Sequence, residues 1–465
     1  MAATEQARTP LDKLLSLFAE VKGGEGVTAV LMFVNVFLLL TSYYVLKTVR
    51  EGLIIGGGGM LGLDGDELKI YASAGMAFLL LGVIPAYGML ASKVSRIRLL
   101  NYCVLGVVVS LGVFFVLGRA GVPLGLAFFL WLGIVSVFLI AQFWSYANDI
   151  YTEGQGKRLF AIIAIGGSLG AWFGPKLAAM GRDYTYTLML ISAGVLLVCQ
   201  LLYNVVNARE ARRVASRKAA GHGDGQEQAP LSKEGGFQLV FQKKYLLLIA
   251  VMMLLANLVN TTGEFILSNA AKLHAIEQVP DTAHAEIADA DARQTAIKGD
   301  RIKVITGFYG TFFQWVNGIA VLIQALLVSR IFKYLGVRTA LFFLPVIAFG
   351  VYGLIGAVGG LALIRTAKIA ENATDYSLQN TVRQALFLPT TREEKYKAKA
   401  AIDTFFVRIG DALAAGTVFV GIHFLAFDAR SFAFVNVGLI LLWLLVCVGI
   451  AKEHRELVPD DAQAA

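Results

Sequence analysis

Long apolar segments separated by short polar loops run along the whole chain. Each is about 20 residues or longer, the length that a helix needs to cross a bilayer. Strands of a β-barrel would instead alternate apolar and polar positions, and a backbone in hydrocarbon must satisfy its amides internally. The pattern therefore predicts an all-α polytopic membrane protein with twelve transmembrane helices. The predicted spans are residues 27–51, 71–91, 99–118, 122–148, 159–178, 185–206, 244–267, 303–330, 338–357, 360–388, 398–424 and 430–451.

Composition and charge agree with this interpretation. Hydrophobic residues make up 57% of the chain and charged residues only 16%, whereas a soluble domain carries about 25% charge. The net charge of +8 comes from basic residues clustered in alternate loops, which the positive-inside rule places in the cytoplasm. We therefore expect both termini in the cytoplasm, a bacterial-type inner membrane, a lipid bilayer around the helices and no nucleic-acid partner.

Two polar segments divide the chain. Residues 207–243 are basic and poor in aromatic residues, which is typical of a mobile cytoplasmic linker. Six spans lie on each side, so residues 1–206 and 244–465 are predicted to form two six-helix bundles with a substrate site between them. An outer-face insert at 269–302 could hold an amphipathic helix. The polar N-terminal segment is either a short amphipathic helix on the membrane surface or a simple start to the first span.

Charged residues lie inside the first span. On a helix, Tyr43, Tyr44, Lys47, Arg50 and Glu51 share a stripe about 120° wide. Charges at membrane depth are costly and usually face a water-filled cavity or the bundle interior. One hypothesis is an internal Lys47–Glu51 ion pair at i, i+4 spacing. The favoured hypothesis is that Lys47 and Arg50 bind an anion, because Arg50 has no acidic residue three or four positions away.

A second polar stripe marks the tenth span. Its members lie within about 120° on one helix face and are Lys368, Glu371, Asn372, Asp375, Gln379 and Arg383. The stripe is predicted to line an aqueous path, with Lys368 nearer the outer face and Arg383 nearer the inner face. The alternative is an internal network in which Lys368 pairs with Glu371 and Asp375.

Other spans carry isolated signals. Glu264 in the seventh span is either a proton carrier or a partner for a basic residue of the first span. Three glycines of the fifth span repeat every fourth residue, which lets helices approach closely; they are Gly166, Gly170 and Gly174. Arg408 and Asp411 in the eleventh span are spaced to form an ion pair.

No pattern indicates catalysis. The chain shows no metal-ligand cluster, nucleophile elbow or histidine-based triad, so we expect neither an enzyme, nor a bound metal, nor a cofactor. His274 and His284 lie in the outer insert and are predicted to be solvated rather than metal ligands.

Three stretches resemble a known family. They are YYVLKTVREGLII at 43–55, FWSYANDIYTEGQGKRLFAIIAIGGSLGA from 143, and YSLQNTVRQALFLPTTREEKYKAKAAIDTFFVRIGD from 376. These segments are similar to the non-mitochondrial ATP/ADP translocases, the major-facilitator-like nucleotide transporters of plastids and intracellular bacteria. The resemblance implies twelve helices in two bundles and nucleotide exchange without hydrolysis.

Matched positions imply a divergent member of that family. Arg50 and Arg383 stand where the family has functional lysines, so the cations are kept. Acidic residues are lost at three matched positions, where the chain has Leu132, Asn260 and Gln384; Glu264 follows Asn260 by one turn. Kept cations and lost acids imply an anionic substrate that need not be strictly ATP and ADP.

The first hypothesis is a secondary active transporter, a monomer that exchanges nucleotides or takes up a related phosphorylated anion by alternating access. Lys47, Arg50 and Arg383 would neutralise phosphate. Weaker assignments are base stacking or hydrogen bonding by Tyr43 or Tyr44, and base reading by Asn148 or Asn380.

Two alternatives remain open. In a proton-coupled major-facilitator carrier of another organic anion or drug, Glu264, Glu371 or Asp375 would titrate, and Glu51 and Lys368 would serve in coupling or ion pairing. In a non-transporting membrane scaffold or sensor, the segment 207–243 would bind the partner.

Overall fold

Helices make up most of the part of the chain that the structure describes. The computed structural model describes residues 10, 21–22, 24–57, 59, 62–91, 96–151, 153–219, 236–391, 394 and 398–458. The helices are α1 Gly26–Glu51, α2 Gly65–Ala91, α3 Arg96–Arg119, α4 Gly125–Ile150, α5 Glu153–Met180, α6 Thr185–Ala219, α7 Gly236–Gln242, α8 Lys244–Gln278, α9 Ala290–Leu326, α10 Val328–Ala340, α11 Phe343–Ala357, α12 Leu361–Thr374, α13 Asn380–Leu386, α14 Lys399–Ala401, α15 Val407–His423 and α16 Ala429–Leu457.

Each predicted span overlaps at least one of these helices, which confirms the all-helical class. Within the described residues, eight helices are long and apolar enough to cross a membrane, or nine if the bent pair α9 and α10 counts as one span. Those two helices meet at 75°, and α11 has only 15 residues. The count of twelve therefore stays a prediction.

Two five-residue π-helical turns directly follow or interrupt the polar stripes. One covers Gly52–Gly56, immediately after α1. Another covers Asp375–Gln379, between α12 and α13. Such turns bond i to i+5 and are frequent at functional sites. A π turn holds more residues than an α-helical turn. Helical projection at a uniform 100° per residue therefore gives angles that are offset for the residues beyond it.

The chain forms two compact units. Unit 1 comprises residues 1–53, 80–227 and 302–314, and unit 2 comprises the remainder, which is 54–79, 228–301 and 315–465. The N-terminal part of α2 thus belongs to unit 2, and part of α9 belongs to unit 1. The two predicted halves, by contrast, divide at the linker alone.

Glycines set the closest helix contact in unit 1. A Cβ atom on Gly166 would lie 2.5 Å from the carbonyl oxygen of Phe33, and one on Gly170 would lie 2.3 Å from that of Phe37. Gly174 makes the same kind of approach one turn further along α5. The predicted close packing is confirmed: α5 and α1 touch backbone to backbone, which only glycine permits.

The polar segments contain more helix than their composition indicates. Within the predicted linker, α6 continues through Ala219 and α7 covers Gly236–Gln242; residues 220–235 lie outside the described residues, as does the N-terminal segment 11–20. The insert 269–302 is mostly the ends of α8 and α9. Only 279–289 connects them, and Asp289 caps α9 by accepting hydrogen bonds from two backbone amides.

Candidate functional site

Arg50 is held by its neighbour at the end of α1. Its Nε donates to Oε1 of Glu51 at 3.1 Å, and its Nη2 makes a second contact to the same oxygen. The guanidinium also lies 4.4 Å from the ring centre of Phe129. Glu51 is 1% exposed and Arg50 15%. No acidic residue lies at helical spacing from Arg50, but the adjacent Glu51 pairs with it, although neighbouring residues on a regular helix diverge.

Lys47 lies against aromatic rings one turn earlier. Its Nζ is 4.3 Å from the ring centre of Phe313 and 5.3 Å from that of Tyr44. Tyr43 packs edge-on against Tyr44, with ring centres 5.1 Å apart. An ammonium over aromatic faces is stabilised by the ring quadrupoles. Unit 1 therefore holds two cations in a partly buried, aromatic-lined region.

The N-terminal part of the tenth-span stripe contains an internal ion pair. Lys368 is fully buried, and its Nζ donates to Oε2 of Glu371 at 2.8 Å. The Tyr352 hydroxyl donates to the same oxygen at 2.9 Å, and Lys368 also donates to Oδ1 of Asn260 at 3.3 Å. The Lys368–Glu371 pair is one that the internal-network alternative predicted, while Glu371 also borders the cavity described below.

Glu264 belongs to the same network and is not isolated. Its carboxylate accepts a hydrogen bond from Asn372 at 2.9 Å and lies 3.9 Å from Lys368. It also lies 3.7 Å from Nζ of Lys69. These two lysines lie on α2 and α12, and the pairing of Glu264 with a first-span cation stays a prediction.

The sequence analysis missed Lys69. It is buried and donates to Oγ of Ser268 at 2.9 Å. In the sequence, Lys69 lies two residues before the predicted span 71–91. The helix that contains this span begins six residues before it, at Gly65, so Lys69 is part of the helix. Buried polar atoms need partners, and Lys69 finds them on α8.

From Glu371 onwards the stripe borders a cavity of about 50 Å³ within unit 2. Asp375, Gln379 and Arg383 contribute side chains to its wall, together with Asn257 and Asn260. At roughly 10–15 Å³ per water centre, it accommodates a few water molecules. Asp375 therefore lies with Arg383 at the cavity, whereas the carboxylate closest to Lys368 among the described ion pairs is that of Glu371.

The predicted base-reading asparagines occupy exposed positions. Asn380 accepts a hydrogen bond from Nη2 of Arg383 at 3.3 Å. Asn148 is exposed near the end of α4, in unit 1. The predicted Arg408–Asp411 pair is present at 3.0 Å, and Asp411 also accepts from Asn257 at 2.7 Å.

Outside the spans, His284 lies close to two carboxylates in the segment 269–302. Its Nε2 lies 2.9 Å from Asp300 and its Nδ1 3.4 Å from Glu286. The hydrogen bond to the Asp300 carboxylate raises the pKa of His284 above its ordinary value of 6.5. Among the described residues there is no cluster of three or more His, Cys, Asp or Glu suited to a metal ion.

The sequence matches one protein-family model over most of its length. That model is described as "TLC ATP/ADP transporter", and it covers residues 128–454. The matched region includes Arg383 and the whole tenth-span stripe; Lys47 and Arg50 precede it.

Two curated proteins of Chlamydia are similar to nearly the whole chain. ADP,ATP carrier protein 1 of Chlamydia muridarum is 20% identical over 479 residues, covering 88% of this chain and 84% of the relative. ADP,ATP carrier protein 2 of Chlamydia pneumoniae is 22% identical over 521 residues, covering 97% and 93% respectively.

Solved transporters share the fold. The crystal structure of the nucleoside transporter NupG superposes with a TM-score of 0.58 at 13% identity, covering 91% of this chain and 98% of NupG. The peptide transporter POT in complex with sulfate gives a TM-score of 0.59 at 15% identity, covering 92% and 95%. The fold is therefore major-facilitator-like.

Proposed function

Because the chain belongs to the TLC ATP/ADP transporter family, we propose that it exchanges nucleotides, or takes up a related phosphorylated anion, by alternating access and without hydrolysis. The observation that carries the proposal is the family match over residues 128–454. The names of the Chlamydia relatives, which are carriers of ADP and ATP, indicate the substrate class.

Cations in both units would neutralise the phosphate charge. Arg50 and Lys47 lie in an apolar span against aromatic rings, and Arg383 borders the unit 2 cavity. Guanidinium groups bind phosphate oxygens in pairs and stay charged. Glu51 would neutralise Arg50 when no substrate is bound and release it to the phosphate when substrate arrives. This exchange avoids leaving a partly buried cation uncompensated at any stage.

A second candidate is favoured by the carboxylates of unit 2. Glu371 and Asp375 border the same cavity as Arg383, and Glu264 connects to Glu371 through Lys368. Carboxyl groups that border a cavity within the membrane commonly act as proton relays in transporters. In that case uptake of the anion would be driven by protons rather than by counter-exchange.

For the membrane arrangement we propose a monomer in a bacterial-type inner membrane, with both termini in the cytoplasm. The basic loops between alternate spans support this orientation. Single cysteines introduced at the chain ends of a cysteine-free variant should react with impermeant maleimide only after the cells are opened. Reaction in intact cells would reverse the orientation.

Reconstituted liposomes separate the two transport candidates. Labelled ATP is supplied outside, with ADP, inorganic phosphate or buffer trapped inside, and each condition is repeated with an inward proton gradient. Exchange predicts rapid uptake only against trapped nucleotide. Uptake into buffer-filled vesicles that depends on the gradient would replace exchange by proton coupling, and no ATP uptake in any condition would refute a nucleotide substrate.

A further inference from the structure

Unit 1 contains a cavity of about 570 Å³ where the start of α1 meets the later part of α6. Its walls combine apolar side chains with two guanidinium groups. The described lining residues, none of which is acidic, are Gly24, Val27, Leu31, Val205, Ala208, Arg209 and Arg212. The charges of the proposed transport site play no part in it.

An exposed apolar face of α6 leads directly to these arginines. At 100° per residue, Val198, Leu201, Val205, Arg209 and Arg212 fall within about 80° of one another. The three apolar members are 46%, 65% and 52% exposed. One helix face thus presents an open hydrocarbon surface that ends in two positive charges.

The length of α6 is consistent with the arginines lying at the depth of lipid phosphates. Counted from the start of α6 at Thr185, Arg209 is about 36 Å along the helix axis at 1.5 Å per residue. A hydrocarbon core is about 30 Å thick. If the start of α6 lies at one surface, Arg209 reaches the headgroup layer of the other.

Hydrogen bonds fix the orientation of Arg209. Its Nε donates to Oγ1 of Thr28 at 3.3 Å. The hydroxyl of Thr28, which is fully buried, donates in turn to Oε1 of Glu210 at 2.6 Å. The Thr28 hydroxyl thus links the guanidinium of Arg209 to the carboxylate of Glu210, and the guanidinium is oriented before any ligand arrives.

We infer that this cavity binds one anionic phospholipid. An acyl chain lies along the apolar face of α6, and the phosphate accepts hydrogen bonds from Arg209 and Arg212. The two positive charges and the absence of an acidic side chain among the described lining residues select an anionic headgroup over a zwitterionic one. Basic pockets between transmembrane helices on the cytoplasmic side are suited to such headgroups. The inference does not depend on the transported substrate.

The test is equilibrium binding of phosphatidylglycerol to the purified full-length protein in non-ionic detergent, followed by native mass spectrometry. We expect one tightly held phosphatidylglycerol and no comparable retention of phosphatidylcholine. The R209Q/R212Q variant should bind it about thirtyfold more weakly. The matched control R98Q/K452Q removes two exposed cations from other helix ends and should bind as the wild type does. Equal weakening in both variants would overturn the site.

Two further measurements keep the inference falsifiable. R209K/R212K retains the charge and should keep most of the binding, which shows that a loss in the glutamine variant is not misfolding; if it binds no better than R209Q/R212Q, the site is refuted. Glycerophosphate, inorganic phosphate and ATP, each lacking the acyl chain, should fail to displace the lipid. Displacement by any of them at comparable concentration would mean a general anion site instead.

Discussion

The cations of the two units are held in place by different physical means. In unit 1, Lys47 and Arg50 lie on a helix that glycines bring into backbone contact with α5, and their charges meet aromatic rings and Glu51. In unit 2, Lys368 is fixed by a network of ion pairs, whereas Arg383 borders the cavity. Two polar stripes that look alike in sequence are therefore held differently. Aromatic contacts and one ion pair between adjacent residues hold the cations of unit 1, whereas ion pairs between helices hold Lys368 in unit 2.

This difference separates structural charges from functional ones. A fully buried cation with a carboxylate at 2.8 Å chiefly affects stability when one partner is removed. A cation that borders water can exchange one anion for another. On this basis we assign Lys368 to the fold of unit 2, and we propose that Arg383 and Arg50 bind the substrate.

The largest expected effect is the loss of the unit 2 ion pair. Lys368→Met leaves Glu371 buried without its charge partner, so the free energy of unfolding should fall by about 3–5 kcal/mol. Denaturant unfolding in detergent micelles measures it. The exposed control Lys298→Met should change stability by less than about 0.5 kcal/mol, and the double variant K368M/E371M should recover most of the loss. A loss below about 1 kcal/mol for K368M would contradict the assignment.

The corresponding change in unit 1 is steric. Gly170→Ala places a Cβ 2.3 Å from the Phe37 carbonyl oxygen, so α1 and α5 must separate at a cost of about 1–3 kcal/mol. Gly194→Ala on α6, where a Cβ meets nothing within 4 Å, is the matched control. Thermal unfolding of both variants decides the point. If the two variants were equally stable, backbone contact with α5 would not be what positions α1.

A smaller effect, on the affinity for ATP, is expected when a negative charge at the unit 2 cavity is removed. Asp375→Asn removes a negative charge near Arg383, so ATP should bind about fivefold more tightly, a change of roughly 1 kcal/mol. The exposed Asp183→Asn variant should bind ATP with wild-type affinity. If D375N instead binds ATP normally and loses uptake driven by a proton gradient, Asp375 acts in proton coupling.

The smallest expected effect is that of pH on the stability of the connecting segment 279–289 in unit 2. Because the pKa of His284 is raised by Asp300, protonated His284 stabilises residues 279–289. That contribution is complete below pH 6.5, the ordinary pKa of histidine, and is lost as pH rises through the higher folded-state value. Hydrogen exchange of this segment, corrected for intrinsic rates, should speed up at high pH. H284Q should abolish the difference, and an unchanged pH dependence in H284Q would assign it to another group.

Apolar periodicity predicted the helices and one of their contacts. The positions of the spans follow from segment length and hydropathy, and the contact of Gly166 and Gly170 with α1 follows from their four-residue spacing. The Arg408–Asp411 pair was also predicted, because both residues share a helical face one turn apart.

Long-range and irregular features were not predicted. The Lys69–Glu264–Lys368 network joins three helices, and a single sequence does not contain the distances between them. The tenth-span stripe has two kinds of member. The cavity is bordered on both sides of the π turn at Asp375–Gln379 by Glu371, Asp375, Gln379 and Arg383. Lys368 and Asn372 instead bond to residues of α8, a distinction that helical projection does not predict. Arg50 pairs with an adjacent residue, a geometry that regular helix spacing does not predict.

The central claim is that Arg50 and Arg383 bind the phosphate of the substrate, and equilibrium binding of labelled ATP to purified variants tests it most directly. Arg50→Ala and Arg383→Ala should each weaken ATP binding by roughly 10–100-fold, the loss of a charged hydrogen bond worth about 1.5–3 kcal/mol. The lysine variants should retain most of the affinity, and the exposed control Arg119→Ala should retain all of it. Wild-type affinity in both folded alanine variants would contradict the account.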